Sequence, residues 1–137
     1  PQMQINDGRV ISNFICQAIK GDDITIYGDG NQTRSFCYIK DMVDFLKGLP
    51  SVDNGINKPF NIGNDIEFSI KHLAEKVISL TKSSSKIIFC DLPENDPLQR
   101  KPDISYITEK FSWKPKIKLD DGIKLSIPYF INEINEV

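Results

Sequence analysis

Short apolar runs that suit β-strands alternate along this sequence with longer amphipathic segments that suit helices. Residues 10–19 carry apolar side chains at three- and four-residue spacing and stop before Gly21, which favours a helix. Residues 24–27 follow as a β-branched and aromatic run typical of a strand. Because strands and helices alternate, the sequence predicts an α/β fold with short parallel strands.

The alternation continues to the end of the chain. A helix is predicted from Asp41, its N-cap, to Pro50 and the turn at residues 53–55. Three further helices are predicted to follow N-caps at Ser69, Asp103 and Asp120. Further extended segments are predicted at residues 36–39, 60–62 and 86–90. The loop that holds Pro93, Pro97 and Pro102 is predicted to exclude regular structure.

Composition narrows the class of protein. The chain has 137 residues, 39% hydrophobic residues and a formal net charge of -2, which suit one soluble domain without a general attraction to nucleic acid or membrane. No apolar run is long enough to span a membrane, and the first four residues do not resemble a signal peptide. Three widely spaced cysteines, without a C-x-x-C pair, favour free thiols in a reducing compartment over disulfides or a zinc site.

Arg34 is the first candidate ligand-binding residue. It follows the turn Gly28-Asp29-Gly30, where small residues allow a ligand to approach closely. The planar guanidinium can donate two parallel hydrogen bonds, which suits a diphosphate. The alternative is a surface arginine that pairs with an acid such as Asp41.

Arg100 is the second candidate. It lies in a proline-stiffened loop that would hold a cation over a phosphate with little loss of entropy on binding. The alternative is a solvated basic pair with Lys101. Asp103 would either orient a ribose hydroxyl or cap the following helix, and the sequence alone favours the cap.

No catalytic residue or metal site is evident from the sequence. His72 is the only histidine and is predicted to have a surface or packing role. The acidic pairs Asp22-Asp23 and Asp120-Asp121 border predicted elements and are predicted to serve turns and caps. The string from Tyr106 to Lys110 has Tyr-x-x-x-Lys spacing, which is interpreted as chance because it falls in a predicted helix after the proline loop.

Five blocks of the chain resemble UDP-glucuronate decarboxylases, also called UDP-xylose synthases, in the extended short-chain dehydrogenase/reductase family. They are found at residues 6–14 (beginning Asn-Asp-Gly-Arg), 26–41, 60–64 (Phe-Asn-Ile-Gly-Asn), 100–103 (Arg-Lys-Pro-Asp) and 113–115 (Trp-Lys-Pro). The blocks have that family's order and spacing and cover essentially the whole chain. The resemblance implies a Rossmann-type fold of which residues 1–137 form the C-terminal, sugar-nucleotide-binding portion.

The resemblance also implies roles for individual residues. Arg34 and Arg100 are expected to clamp the diphosphate of a UDP-sugar, and Asp103 to lie near the ribose. Arg9 is expected on the cofactor side of the cleft. The remaining substrate-side residues implied are Val10 at the uracil or ribose, Thr25 and Tyr27 at the base, and Phe36 in the pocket lining or the core.

The implied reaction oxidises the sugar C4 hydroxyl with NAD, releases carbon dioxide from the β-keto acid and returns the hydride to give UDP-xylose. The chain departs from the family at Gln2 and Gln4, where arginine and histidine are usual. It contains no G-x-G-x-x-G, and in the family that NAD loop and the catalytic Tyr-x-x-x-Lys lie upstream of the residue matching Pro1. The chain alone is therefore expected to be inactive.

Two other functions fit the same observations. One is a stand-alone UDP-sugar-binding module, and the other is part of a different nucleotide-sugar dehydratase or epimerase. The resemblance implies a full-length homodimer, and it leaves both the cytoplasm, which we expect, and the Golgi lumen open as locations.

Overall fold

A computed structural model describes residues 3–5, 8–49, 59–92 and 97–136. In these ranges five helices and five short strands follow one another: α1 (Val10–Lys20), β1 (Ile24–Tyr27), β2 (Thr33–Ser35), α2 (Ile39–Gly48), β3 (Glu67–Ser69), α3 (Ile70–Thr81), β4 (Ile87–Cys90), β5 (Gln99–Arg100), α4 (Ser105–Phe111) and α5 (Leu119–Asn135). The α/β class predicted from the sequence is confirmed. Predictions at Gln2, Pro50, the turn at residues 53–55, and Pro93 lie outside the described residues, as do residues 6 and 7 of the first block.

Helices α1 and α3 form where the periodicity predicted them. Gly21 ends α1 with a left-handed φ of 76°, and its backbone N–H donates to Ala18 O at 3.3 Å. Ser69 caps α3, because its Oγ accepts a hydrogen bond from the backbone N–H of His72 at 3.2 Å. Local sequence signals therefore determine both helices.

The strands form two small sheets. β1 pairs with β4 in parallel, with Ile24 opposite Ile87 and Tyr27 opposite Cys90. The second sheet has the order β3-β2-β5, in which β2 pairs in parallel with β5 and antiparallel with β3. The expectation of parallel strands is thus met in two of these three pairings.

Several predicted boundaries are wrong. The extended segment expected at residues 36–39 lies earlier, in β2, and α2 already begins at Ile39. Residues 60–62 form no strand, because Phe60 and Ile62 pack on an aromatic cluster and the Asn61 side chain donates to Asp103 O at 3.1 Å. The proline loop does contain regular structure, since β5 forms between Pro97 and Pro102.

Asp41 and Asp120 are not N-caps. The N-caps are Tyr38 for α2 and Lys118 for α5, and neither makes a side-chain cap hydrogen bond. Asp41 lies inside the first turn of α2, and Asp120 inside that of α5, where it forms an ion pair with Lys76 at 2.7 Å. Both helices begin earlier than predicted, α2 at Ile39 and α5 at Leu119.

Two hydrophobic clusters hold the described residues together. The larger one joins α1, β1, α3 and α5 through fully buried side chains, among them Ile15, Ile26, Leu73, Ile123 and Phe130. The smaller one is aromatic and centres on Phe45 of α2, whose ring lies 5.1 Å from that of Trp113 and 5.6 Å from that of Phe111. No helix in the described ranges is long and apolar enough to cross a membrane.

Candidate functional site

Arg34 and Arg100 are neighbours across the second sheet. Arg34 is the central residue of β2, and its register partner on the parallel strand β5 is Arg100. Register partners project from the same face of a sheet whose strands lie about 4.8 Å apart. The Arg34 guanidinium donates to Thr33 O at 2.8 Å. Two positive charges on neighbouring strands would favour an anion that both can bind. The sheet therefore brings together the two cations that the sequence identified separately.

A glycine turn sets the start of β2. Gly28 and Gly30 have left-handed φ values of 74° and 78°, and a β-carbon at Gly30 would lie 3.0 Å from Lys71 Cβ. Gly30 O accepts from Lys71 N at 3.0 Å, and Gln32 O accepts from Ile70 N at 3.1 Å. The turn is thereby fixed to the first residues of α3, and Arg34 follows it directly.

An aromatic pair adjoins the arginine face. Phe68 of β3 is the register partner of Arg34 on the other side of β2. Its ring stacks on that of His72 with centroids 5.9 Å apart and packs on the larger cluster. His72 thus has the surface and packing position predicted for it, and the arginine face borders apolar surface.

A cavity of about 530 Å³ brings together three more of the predicted residues, Arg9, Val10 and Phe36. Cys37 lines it as well, and burial, with a contribution from the charge of Asp41, raises the pKa of its thiol to about 11. Cys37 is therefore a neutral thiol at physiological pH. Ser35 Oγ also lies in the lining, is buried, and has no hydrogen-bond partner among the described residues.

Thr25 and Tyr27 lie on β1 and differ in exposure. The Thr25 hydroxyl accepts from Gln17 Nε2 at 3.3 Å, and Thr25 N donates to Gln17 Oε1 at 3.3 Å, so this residue fixes α1 to the edge of the strand. Tyr27 stands at the carboxyl end of β1 with 51% of its surface exposed. Carboxyl ends of parallel strands are the usual ligand edge of α/β sheets, so Tyr27 is free to face a ligand.

Asp103 stands just before α4. Its Oδ1 accepts from Ser105 N at 2.9 Å and from Ser105 Oγ at 2.6 Å. These hydrogen bonds lower the pKa of Asp103 below its ordinary value. The N-cap of α4 is Ile104, so the prediction of Asp103 as the N-cap is wrong by one residue. Asp103 instead holds the turn that leads into the helix, through its two hydrogen bonds with Ser105.

Sequence reasoning missed the group that links the three strands of the second sheet. Glu67 Oε1 accepts from Thr33 Oγ1 and from Gln99 Nε2, both at 2.7 Å. The only local signal was the alternation of Glu67, Phe68 and Ser69, the last of which is the cap of α3. The described ranges contain no group of three His, Cys, Asp or Glu that could hold a metal ion.

The fold has clear structural neighbours. UDP-glucuronic acid 4-epimerase from Bacillus cereus, solved with UDP-glucuronic acid and NAD, matches with a TM-score of 0.86 at 25% identity, over 96% of this chain and 42% of that one. UDP-glucose 4-epimerase from Thermotoga maritima, solved with UDP-glucose, matches with a TM-score of 0.82 at 26% identity, over 92% and 40%. The family described as NAD dependent epimerase/dehydratase matches residues 1–63. Over these residues the chain is similar to that family, the extended short-chain dehydrogenases/reductases, and its fold matches the solved structures named above.

Sequence relatives define the branch of the family. UDP-glucuronic acid decarboxylase 5 of Arabidopsis thaliana is 48% identical over 125 residues, which are 91% of this chain and 36% of the relative. UDP-glucuronic acid decarboxylase 1 of Xenopus tropicalis is 40% identical over 134 residues, 98% of this chain and 31% of the relative. The resemblance to UDP-glucuronate decarboxylases is confirmed, and the chain spans about a third of the length of these relatives.

Proposed function

We propose that this chain is the C-terminal, substrate-binding portion of a UDP-glucuronate decarboxylase. The observation that carries the proposal is the register of Arg34 opposite Arg100, which pairs two cationic residues on neighbouring strands of a small sheet. The decarboxylase relatives and the epimerase complexes with UDP-sugars support the choice of ligand. The diphosphate of UDP-glucuronate binds between the two guanidinium groups in this proposal.

In this proposal the other predicted residues contribute further contacts. Tyr27, exposed at the carboxyl end of β1, borders the base, while Thr25 supports the strand from its edge. Val10 and Phe36 form apolar lining of the cavity of about 530 Å³, and Arg9 at the same cavity is the contact on the cofactor side. Asp103 acts mainly on the protein, because it fixes α4 after the Arg100 loop.

NAD fits this chain only as a neighbour. The sequence has no glycine-rich dinucleotide loop, and Arg9 is the one residue assigned to the cofactor side. When bound to the rest of the enzyme, NAD would supply reversible oxidation at the sugar C4, which makes loss of carbon dioxide from C5 easy. The residues of this chain bind and orient the nucleotide, and the proton-transfer pair is supplied from outside it.

A 4-epimerase or dehydratase is the second candidate function, because the structural neighbours are UDP-sugar epimerases. The decarboxylase is preferred since its relatives are 40% and 48% identical, against 25–26% for the epimerases. A panel of UDP-glucuronate, UDP-glucose and dTDP-glucose, given to the full-length protein with NAD, separates the two. UDP-xylose from UDP-glucuronate supports the decarboxylase, and a C4 epimer as sole product overturns it.

The direct test of the site is a calorimetric titration of the chain with UDP, beside Arg34→Ala. We expect the substitution to weaken binding by more than about 1 kcal/mol, because it removes charge-assisted hydrogen bonds. Lys20→Ala, which removes one exposed positive charge from the end of α1, is the control and should leave the affinity unchanged. Equal affinity of wild type and Arg34→Ala would contradict the assignment.

The wider assembly follows the same proposal. Cys16, Cys37 and Cys90 form no disulfide within the described residues, which suits a parent enzyme in the reducing cytoplasm. We propose a homodimer for the full-length enzyme. Sedimentation of the full-length protein, with cell fractionation, tests both statements.

A further inference from the structure

The residues of the second sheet are divided between its two faces. Successive side chains of a strand alternate, so Arg34, Arg100 and Phe68 share one face. Thr33, Gln99 and Glu67 belong to the opposite face, and the hydrogen bonds among these three side chains agree with that assignment. The face that carries the arginines is thus backed by a polar network on its reverse side.

Glu67 is the centre of that network. Its Oε1 accepts from Thr33 of β2 and from Gln99 of β5, both at 2.7 Å, while its Oε2 lies 3.8 Å from Lys101 Nζ. One carboxylate on β3 therefore contacts both other strands of the sheet. Its side chain is 22% exposed, so the interactions are partly shielded from water.

β5 has few other contacts with the rest of the described chain. The strand has two residues, both exposed, and neither belongs to a hydrophobic cluster of the described residues. Among the described residues, β5 is attached by its backbone pairing with β2, next to which Thr33 N donates to Leu98 O at 2.9 Å, and by the Glu67 network. A strand this short is marginal by backbone pairing alone. The position of Arg100 beside Arg34 thus depends on the few polar contacts of its neighbours.

We propose that Glu67 is a positioning residue for ligand binding: from the reverse face it fixes β5 to β2 and so holds Arg34 and Arg100 side by side for a diphosphate. The ligand in this statement rests on the proposed function. Glu67 does not touch the ligand, because it lies on the other face of the sheet. Its hydrogen bonds to Thr33 and Gln99, with the charge of Lys101, lower its pKa and keep it ionised at neutral pH.

The test compares UDP with uridine, which lacks the phosphates, as ligands of the full chain. We expect Glu67→Ala to weaken UDP binding roughly tenfold, the range for losing interactions with charged groups, and to leave uridine binding unchanged. Glu67→Gln keeps an acceptor oxygen and should restore part of the affinity. Glu75→Ala is the matched control, because Glu75 is exposed on α3 and loses the same charge.

A double substitution tests whether Glu67 acts through the arginines. If it does, Glu67→Ala added to Arg34→Ala should cost less than the sum of the two single effects. A general structural role predicts equal losses for UDP and uridine. Equal losses for the two ligands, or an unchanged UDP affinity in Glu67→Ala, overturn the proposal.

Hydrogen exchange without ligand separates this proposal from the proposed function. Glu67→Ala should speed amide exchange at Thr33 and Arg34, but not at core residues such as Leu73. Unchanged exchange rejects the role of Glu67 whatever the ligand. Faster exchange in Glu67→Ala would support the role of Glu67 in holding β5 to β2. If the wild-type chain also binds UDP no better than uridine, the diphosphate assignment is rejected.

Discussion

The helical layer and the three-stranded sheet of this chain are stabilised by different interactions. The layer of α1, α3 and α5 buries Ile15, Leu73 and Phe130 at 0–2% exposure, so its stability comes from apolar surface removed from water. The sheet β3-β2-β5 has partly or fully exposed residues and is joined by backbone pairing and a carboxylate. The comparison teaches that the region with the most buried apolar surface and the region proposed to bind the ligand are separate, although α3 contacts both.

The largest effect should follow from Phe130→Ala in the helical layer. Phe130 is 1% exposed, and removing a buried phenyl ring costs about 3–5 kcal/mol of unfolding free energy. Urea denaturation followed by circular dichroism measures it. Leu125→Ala on the same helix is the control, because Leu125 is 53% exposed and should change the unfolding free energy little. Similar losses of unfolding free energy in both variants would contradict the conclusion that buried apolar surface stabilises the helical layer.

A buried polar tether should rank next. Asp41 Oδ2 accepts from Lys116 N at 3.0 Å and from Ile117 N at 2.9 Å, and Asp41→Ala would leave both donors without this partner. We expect a loss of about 2 kcal/mol in unfolding free energy. Asp44→Ala on the same helix, where the acid is exposed, serves as control in the same denaturation experiment. A loss no larger than that of the control would show that this tether adds nothing.

The turn that joins the two regions should give a smaller effect. Gly30→Ala places a β-carbon 3.0 Å from Lys71 Cβ at a φ of 78°, which we expect to cost about 1–2 kcal/mol. Thermal unfolding provides the measurement. Gly48→Ala is the control, since nothing lies within 4 Å of its added carbon. If Gly30→Ala matched that control, the turn would not couple α3 to β2.

The smallest effect should be a pH dependence confined to the sheet. The pKa of Glu67 is lowered from its ordinary value of 4.5 by its hydrogen bonds to Thr33 and Gln99 and by Lys101. A carboxyl with a lowered folded-state pKa stabilises the fold fully above its ordinary value, and this contribution is lost as pH falls through the folded-state pKa. The difference in urea midpoint between wild type and Glu67→Gln should therefore shrink below pH 4.5. A difference that stays constant with pH would contradict this assignment.

Sequence predicted what depends on local patterns. The helices α1 and α3 were found because apolar periodicity and the end signals at Gly21 and Ser69 lie within each segment. Residues 60–62 misled the same reasoning, since their strand-like composition serves packing against Phe45. A β-like run and a packed irregular segment share the same residue types, so composition could not separate them.

The site divides in the same way. Arg34 and Arg100 each had a local signal, a glycine turn and a proline-rich loop. Their register and the contacts of Glu67 could not be predicted, because pairing between strands far apart in sequence depends on the whole fold. The binding roles of the predicted residues stay predictions, which the titration with UDP tests.

The attachment of the glycine turn to α3 has a consequence for how anions can be recognised here. The first backbone donors of α3 are occupied: Ile70 N by Gln32 O, Lys71 N by Gly30 O and His72 N by Ser69 Oγ. A helix N-terminus is a common cradle for phosphate, yet at α3 the protein itself fills it. An anion at the proposed arginine pair would therefore be bound by side chains and not by the N-terminus of α3. A site formed by main-chain groups tolerates most substitutions, whereas a site formed by two side chains can be gained, altered or lost through one mutation. This part of the sheet is therefore open to evolutionary change.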